Sequence, residues 1–239
     1  MLEITGLSRH FGALKVIDGL DLSVSEGSVL GILGPNGAGK TTLFNLILGV
    51  HAPSAGRIVF DGTDIVGSRP WTRCRNGMGR TYQVPKPFTH MSVFENVLAA
   101  AVSGGQSSIA HSRDWAVEVV EMTGLGHRLE DFAGTLSLLD LKRLELAKAL
   151  ASRPRLLMMD EIAGGLTDAE CDDLLEIIAS VHQRGTTIIW IEHVIHALQR
   201  GATELAVLFG GKIVSQGTPE HVLNDPHVRE IYLGVEDEP

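Results

Sequence analysis

One stretch, residues 34–42, restricts the possible folds of this chain more than any other part of the sequence. It follows a short apolar run, Val29–Leu33, and precedes a helix-like run that ends at Gly49. The nine residues are Gly34, Pro35, Asn36, Gly37, Ala38, Gly39, Lys40, Thr41 and Thr42. They match the spacing G-x-x-x-x-G-K-[ST] without a gap, and the order of strand, glycine-rich loop and helix is the one in which this motif binds phosphate.

The residue types of this stretch suit a phosphate group for physical reasons. Glycines let the backbone approach phosphate oxygens closely, so that N–H groups point inward, and the helix N-terminus adds a partial positive charge. Lys40 can reach the β- and γ-phosphates, and the Thr41 hydroxyl can ligate Mg²⁺. A chance glycine turn is the alternative, which the flanking elements disfavour. The stretch therefore predicts a nucleotide site.

Length and charge bound the class of protein. With 239 residues, the chain is long enough for one large α/β domain, or for one domain with an inserted lobe. Its 20 basic and 29 acidic residues give a formal charge of −9, which argues against general nucleic-acid binding. Cys74 and Cys171 are far apart and predict no disulfide framework, in keeping with a reducing cytoplasm. We see neither a signal-peptide pattern nor an apolar run of membrane-spanning length, so we expect any work at a membrane to depend on a docked partner.

Apolar patterns predict strands on both sides of the loop. Residues 2–8 and 20–25 alternate like strands, with residues 9–12 between them. Residues 156–160 and 186–191 predict buried parallel strands. The last part of the chain predicts a closing hairpin over residues 205–215, which one final helix follows.

The middle of the chain is predominantly helical in pattern. A short strand is predicted over residues 81–84, directly before this helical portion. Ser92 and Glu95 form a capping-box pattern at the start of one helix, and residues 114–123 predict an amphipathic helix. Ser137 is the predicted N-cap of the next helix.

Four arginines crowd into the segment before this helical portion. They are Arg69, Arg73, Arg75 and Arg80, with Trp71 among them. One interpretation is a solvated or ion-paired helix, and the other is a docking surface for an acidic partner.

Two acids end the buried strand over residues 156–160. Asp160 is placed to hold Mg²⁺ together with Thr41 and phosphate oxygens, often through water. Glu161 comes next, so its side chain points elsewhere and can polarise an attacking water. Gln83 can sense the γ-phosphate and the metal by hydrogen bonds. A solvated strand end and a surface glutamine are the ordinary alternatives.

Two further residues have more than one interpretation. His193 follows the strand over residues 186–191, at the sheet edge where α/β proteins bind ligands, and can bond a γ-phosphate oxygen. His193 and His196 also resemble a metal pair, but no third ligand is apparent. Phe11 is either an ordinary core or edge phenylalanine or an aromatic that stacks on an adenine ring.

Taken in order and spacing, these residues resemble an ATP-binding cassette (ABC) ATPase. The resemblance covers the whole chain and is closest to the nucleotide-binding subunits of branched-chain amino-acid importers. It rests on Phe11, residues 34–42, Gln83, Leu136-Ser137, residues 156–161 and His193, and on the supporting runs 80–83, 142–147, 191–193, 217–219 and 232–234.

The resemblance implies an α/β fold. We expect a P-loop NTPase core with an N-terminal antiparallel β portion and an inserted helical lobe. The whole chain, 1–239, is then one ABC ATPase domain, with its core and β subdomain in residues 1–84 and 151–239. The helical lobe, including the signature helix, covers residues 85–150.

The resemblance also implies the roles of the site residues. ATP and Mg²⁺ are the expected cofactors, and Thr41, Gln83 and Asp160 are the expected metal residues. Glu161, Gln83 and His193 are the expected catalytic residues. In this family two cassettes pair head to tail, so that each phosphate loop faces the other subunit's signature helix. On that arrangement Phe11 stacks on adenine and Ser137 contacts the nucleotide of the partner.

The signature itself departs from the family's pattern. The family has LSGGQ, whereas residues 136–140 read Leu-Ser-Leu-Leu-Asp. A second candidate, Ser-Gly-Gly-Gln at residues 103–106, lies far from Asp160 and opens no helix with basic residues, so we assign the signature to Ser137. Leu139 replaces a glycine that allows close backbone approach, and Asp140 would repel phosphate if it pointed inward. We expect ATP binding by the chain's own loop to be intact. The site that uses Ser137 is expected to hydrolyse weakly or to depend on a different partner subunit.

Two smaller departures lie after the catalytic acids. Ile162 stands where the family usually has proline, and Thr167 stands where it usually has aspartate.

The resemblance finally implies a function. The chain is expected to be the ATP-hydrolysing subunit of an importer for branched-chain amino acids or a related small solute, bound peripherally to the cytoplasmic face of the inner membrane. Its expected partners are a second ABC ATPase subunit, identical or paralogous, membrane permease subunits and, indirectly, a periplasmic solute-binding protein, but not nucleic acid. The alternatives are a soluble ABC-type ATP switch and a P-loop kinase. The solute is not encoded in this chain, because selectivity resides in the other subunits.

Overall fold

A computed structural model describes residues 1–104 and 108–233. The chain divides into two compact units, a first unit of residues 1–70 and 189–239 and a second unit of residues 71–188. Gly105 and Gln106 of the second signature candidate lie outside the described residues, as do Gly234 of the supporting run 232–234 and the acidic end at residues 236–238.

The strands and helices follow one another as an α/β chain. The strands are β1 Leu2–Phe11, β2 Leu14–Val24, β3 Val29–Leu33, β4 Ala55–Phe60, β5 Thr63–Asp64, β6 Met78–Arg80, β7 Leu156–Asp160, β8 Thr187–Ile191, β9 Glu204–Phe209 and β10 Lys212–Gly217. The helices are α1 Lys40–Ile47, α2 Pro70–Arg75, α3 Val93–Gly104, α4 Ile109–Met122, α5 Leu138–Ala151, α6 Asp168–Gln183, α7 Ile195–Gly201, α8 Pro219–Asn224 and α9 Pro226–Leu233.

The first unit contains an antiparallel sheet in the order β2-β1-β4-β5, and the two segments whose alternation predicts strands belong to it. Its inner face is apolar, because alternate residues of β1 and β2 such as Leu2, Leu22 and Val24 are buried. The strands are longer than predicted. Residues 9–11 belong to β1 and pair with the start of β2, with Phe11 opposite Leu14, so the connection is a tight turn rather than a four-residue spacer.

The same unit contains the strand that leads into the phosphate loop. All five residues of β3 are buried, and β3 pairs in parallel with β9. The predicted hairpin is confirmed, because β9 and β10 pair antiparallel around Gly210 and Gly211, both of which have positive φ. The predicted final helix is two helices, α8 and α9, because Pro226 begins a new helix.

The second unit combines a parallel strand pair with helices. β6 pairs in parallel with β7, and all five residues of β7 are buried, as predicted. The predicted strand over residues 81–84 is wrong, because Met78–Arg80 is the segment that pairs with β7. Thr81 adds one further backbone bond, from its N–H to the carbonyl oxygen of Met158, before the chain turns to the surface at Tyr82.

The helices of the second unit begin at side-chain caps. Ser92 and Glu95 form the predicted capping box at α3, and Ser137 caps α5 as predicted. α6 begins at Asp168, because Thr167 and Glu170 form a capping box there. Thr167, a departure from the family's usual aspartate, therefore has a structural role in this chain.

The arginine-rich segment is exposed at some positions and buried at others. Arg73 in α2 is only 2% exposed and Arg80 lies in β6, whereas Arg75 and Trp71 are exposed. Within residues 1–104 and 108–233, no helix has both the length and the apolar character that crossing a bilayer requires.

Candidate active site

The phosphate loop links the end of β3 to the start of α1, and its glycines are required by close contacts. A Cβ atom added at Gly34 would lie 2.4 Å from the carbonyl oxygen of Leu208. Gly39, the N-cap of α1, has φ +105°, and a Cβ there would lie 3.0 Å from the carbonyl oxygen of Val16. Larger residues would displace this backbone. Glycine at these positions lets the loop keep the close backbone path that phosphate binding requires.

Lys40 places its ammonium group on this loop. The side chain is buried, and Nζ donates hydrogen bonds to the carbonyl oxygens of Gly34, at 2.6 Å, and Pro35, at 3.1 Å. Thr41 is exposed next to it in the first turn of α1. A cation, a hydroxyl group and helix N-terminal N–H groups therefore come from one short segment, and this donor set fits a nucleotide phosphate with a hard divalent cation.

Asp160, the last residue of β7, is fixed by the last residue of β6 and the residue that follows it. Its Oδ2 atom forms an ion pair with Nη2 of Arg80 at 3.1 Å, and the two side chains are 6% and 14% exposed. Its backbone N–H donates to the hydroxyl of Thr81 at 3.3 Å. Arg80 thus orients the carboxylate and Thr81 holds its backbone, which suits a metal-binding role.

Glu161 has a backbone conformation that glutamate rarely adopts. Its φ is +47°, in the left-handed region, where a residue with a Cβ is strained. The side-chain amide of Gln83 donates to Glu161 Oε2, and Nζ of Lys142 lies 3.4 Å from its carbonyl oxygen, within hydrogen-bond distance. The structure therefore brings three predicted residues, Gln83, Asp160 and Glu161, to one end of β7.

His193 follows β8 and is exposed, in the first unit. Its backbone N–H donates to Glu192 Oε2 at 3.1 Å, and the buried Glu192 carboxylate also accepts a hydrogen bond from Trp190 Nε1 at 3.3 Å. A buried carboxylate thus holds the main chain that presents the imidazole. Among the residues that the structure describes, no group of three or more His, Cys, Asp and Glu is arranged to hold a metal.

Phe11 lies at the end of β1 and is 42% exposed. The Arg9 guanidinium is 4.5 Å from the ring centroid, and the His51 ring meets it edge-on at 5.7 Å. Phe11 is therefore a supported surface aromatic rather than a core residue, and its role in adenine stacking stays a prediction.

Ser137, the remaining predicted residue, caps α5. Its Oγ accepts a hydrogen bond from the backbone N–H of Asp140 at 3.2 Å. The hydroxyl is therefore used within the chain, and its contact with a partner's nucleotide stays a prediction.

Sequence reasoning missed the residues that hold the two acids in place. Arg80 was assigned to a charged segment rather than to Asp160, and neither Thr81 nor Lys142 was assigned a role. The sequence holds no local signal for these contacts, because Arg80, Thr81 and Lys142 meet the two acids across long stretches of chain.

Comparison with known proteins identifies the family of the chain. Residues 17–164 match the family model described as ABC transporter, and residues 212–238 match the model described as Branched-chain amino acid ATP-binding cassette transporter.

Full-length relatives support the same assignment. The chain is 34% identical to the high-affinity branched-chain amino acid transport ATP-binding protein BraF of Pseudomonas aeruginosa, with 98% of each chain covered. It is 31% identical to the lipopolysaccharide export system ATP-binding protein LptB of Haemophilus influenzae, over 98% of this chain and 97% of LptB. The crystal structure of the ADP conformation of an ATP-binding cassette of an ABC transporter superposes with a TM-score of 0.90, at 31% identity, over 98% of this chain and 99% of that one. The chain therefore belongs to the ABC transporter family, as an ATP-binding cassette with ATPase activity.

Proposed function

We propose that this chain is the ATP-hydrolysing subunit of an importer for branched-chain amino acids or a related small solute. The observation that carries the proposal is the match of residues 212–238 to the branched-chain model, together with the full-length similarity to BraF. LptB belongs to an export system and is 31% identical to this chain. The proposal of import rather than export therefore rests on the C-terminal match.

The nucleotide is held by residues of the chain's own phosphate loop. Backbone N–H groups of residues 34–42 and the Lys40 ammonium bind the phosphates, and Phe11 stacks on the adenine. Thr41, Gln83 and Asp160 hold Mg²⁺, which neutralises phosphate charge when it is bound. The ion pair with Arg80 holds the Asp160 carboxylate in one orientation, and this carboxylate would supply an oxygen ligand to the metal.

Hydrolysis depends on three side chains. Glu161 orients and polarises the attacking water, Gln83 positions the Glu161 carboxylate through their hydrogen bond, and His193 bonds a γ-phosphate oxygen. The strained backbone of Glu161 is consistent with this role, because such strain is retained where a side chain must point in one direction.

The chain works with partners. We infer that two cassettes close head to tail on ATP, and that this closure drives permease subunits at the cytoplasmic face of the inner membrane, where the chain is peripheral. A periplasmic solute-binding protein takes part indirectly. In this proposal residues 1–84 and 151–239 form the core, and the helical lobe, residues 85–150, contacts the permease.

A glutamate substitution tests the catalytic part. In Glu161→Gln, we expect phosphate release by the complex that co-purifies with the tagged chain to fall about 10²–10⁴-fold, because the general base is lost. Binding of a fluorescent ATP analogue should persist, since the phosphate loop is intact. Unchanged turnover would contradict the role of Glu161.

Uptake tests the physiological part. Cells that lack this chain should lose uptake of radiolabelled leucine, isoleucine and valine, and the wild-type gene should restore it whereas Glu161→Gln should not. Normal amino-acid uptake combined with a defect in surface lipopolysaccharide would instead favour an export function like that of LptB.

A further inference from the structure

The aromatic ring at the end of β1 has a cation against it. The Arg9 guanidinium lies over the Phe11 ring, 4.5 Å from its centroid. The ring of His51 stands at 81° to the Phe11 ring, with 5.7 Å between the centroids, so it does not stack on it. Phe11 is still 42% exposed. A planar ligand can therefore reach the ring while the guanidinium stays in place.

The guanidinium is tied to the segment that follows α1. Nη1 of Arg9 donates a hydrogen bond to the carbonyl oxygen of Ala52 at 2.8 Å. Two further bonds join the same segment to β1, from the Ser54 N–H to the Ser8 carbonyl oxygen at 2.7 Å and from the His10 N–H to Ser54 Oγ at 3.1 Å. The cation over the ring thus has a fixed position.

This segment is attached in turn to the helix that follows the phosphate loop. The His51 N–H donates to the carbonyl oxygen of Asn45 in α1 at 3.1 Å. At the other end of α1, Gly39 lies against β2, because a Cβ there would lie 3.0 Å from the Val16 carbonyl oxygen. The ring, its cation and the phosphate loop therefore belong to one packed assembly within the first unit.

Hydrogen bonding alone does not explain an arginine at this position. The Nε atom of Arg9 is buried and has no hydrogen-bond partner among the residues that the structure describes. A buried donor without a partner costs free energy, which an uncharged apolar side chain would avoid. The charge over the ring therefore calls for another explanation.

We propose that Arg9 is a positioning residue for the purine base of the nucleotide and acts through Phe11. This inference rests on the proposed ATPase function and its stacked adenine. A cation at one face of an aromatic ring attracts the π electrons, which makes the opposite face less negative and a better surface for an electron-rich base. The bond to Ala52 also holds the ring at a fixed place relative to the phosphate loop, which reduces the entropy lost on binding.

Two ligands that differ in the base test the proposal. Calorimetry on the purified full-length chain compares ATP with inorganic tripolyphosphate, each with Mg²⁺. In Arg9→Met, we expect the affinity for ATP to fall about three- to tenfold while the affinity for tripolyphosphate is unchanged. Arg9→Lys keeps a cation and should recover most of the loss. An equal loss for both ligands, or no loss for ATP, would overturn the proposal.

A double-mutant cycle shows whether Arg9 acts through the ring. Phe11→Ala should lower the affinity for ATP about tenfold or more and leave tripolyphosphate unaffected. Once the ring is absent, Arg9→Met should cause no further loss of ATP affinity, because its partner is gone. Additive losses in the double variant would mean that Arg9 acts without Phe11, which contradicts the proposal.

The same titrations separate this inference from the function beneath it. If neither ligand binds the wild type, the proposed ATPase function fails. If ATP binds the wild type more tightly than tripolyphosphate and Arg9→Met keeps this difference, only the role of Arg9 fails. Arg9→Gln, which keeps an N–H donor but removes the charge, serves if Arg9→Met does not fold, and it should show the same selective loss.

A matched control tests for a general effect of charge. Arg57→Met removes another arginine from the same sheet, where Arg57 forms an exposed pair with Asp64 at 2.8 Å. Both affinities should equal those of the wild type. A selective loss of ATP affinity as large as that of Arg9→Met would show that the position of the charge does not matter, and would overturn the proposal.

Discussion

Two helices of this protein begin next to a predicted nucleotide contact, and their first turns are built in opposite ways. α1 has Gly39 as its N-cap, without a side-chain cap, and has no acidic residue in its first turn. α5 has Ser137 as its N-cap, whose hydroxyl accepts a backbone N–H, and has Asp140 in its first turn. The first turn of α1 is therefore left without a side-chain cap, whereas a side chain satisfies part of the first turn of α5.

The difference shows how the same feature, a helix N-terminus, can bind an anion or refuse one. A Ser cap and an Asp in the first turn stabilise an isolated helix, and for the same electrostatic reasons they compete with an incoming phosphate. A phosphate-binding helix forgoes that stabilisation. The sequence of α1 fits a binding helix, and the sequence of α5 fits a structural one.

Removal of the cation from α1 should have the largest effect. We expect Lys40→Met to lower the affinity for ATP about a hundredfold, because its ammonium supplies charge-assisted hydrogen bonds to phosphate. Titration with a fluorescent ATP analogue measures the change. Lys15→Met, which removes an exposed lysine paired with Asp18, is the control and should bind normally. Equal losses of ATP affinity in the two variants would show that the start of α1 is not the part of the chain that binds phosphate.

A methyl group in the loop should have the next largest effect. Gly34→Ala places a Cβ against the Leu208 carbonyl, so we expect destabilisation of about 1–3 kcal/mol, and ATP affinity should fall as the loop shifts. Urea denaturation and ATP titration give the two values. Gly164→Ala adds the same methyl where the nearest atom lies 3.5 Å away, and it should change stability little. A stable Gly34→Ala with normal affinity would contradict the cradle geometry.

The cap of α5 should matter for stability but not for nucleotide binding by the isolated chain. Ser137→Ala removes one capping hydrogen bond, so we expect the free energy of unfolding to fall by about 1 kcal/mol. Ser137→Asp keeps a cap acceptor and should recover most of that loss. A fall in ATP affinity of the isolated chain would mean that the two helix starts are not independent.

A third helix start sharpens the comparison through a small pH effect. At α6, the N–H of Thr167 donates to Glu170, and this hydrogen bond lowers the pKa of the Glu170 carboxyl from its usual 4.5. A lowered pKa in the folded state stabilises the fold above the unfolded pKa, and this stabilisation is lost as the pH falls through the folded pKa. Melting temperatures measured from neutral pH downward should therefore fall less steeply in Glu170→Gln than in the wild type. Parallel curves would show that the α6 capping box contributes no pH dependence.

Local patterns predicted the parts of the fold that local chemistry decides. The phosphate motif determines β3, the loop and α1, and the apolar run of β7 gives a strand with all five residues buried. The cap residues Ser92 and Ser137 mark their helices because the hydrogen bonds that they make span only three residues.

Contacts between distant residues decided the rest. β6 lies before the predicted strand, because its position depends on pairing with β7. The ion pair of Arg80 with Asp160 joins residues 80 positions apart, and a local sequence pattern cannot predict a contact at that separation. α7 was not predicted, since a seven-residue helix gives too short an apolar pattern. Among the site residues, Gln83, Asp160 and Glu161 lie together at one end of β7. The ion pairs of Asp140 with Arg128 and Arg143 were not predicted from the sequence.

The segment from Arg80 to Gln83 also has a consequence for how this chain can change in length. Arg80 contacts the Asp160 side chain, Thr81 its backbone N–H, and Gln83 the Glu161 side chain, so three residues of this four-residue segment are matched to two consecutive acids. One inserted or deleted residue would displace the residues that follow it by about 3.8 Å along the chain, which is longer than a hydrogen bond, so the downstream pairs would be lost together. We therefore expect an insertion scan to find residues 80–83 among the positions least tolerant of a change in length, although Tyr82 and Gln83 lie at the surface, where insertions are usually accepted.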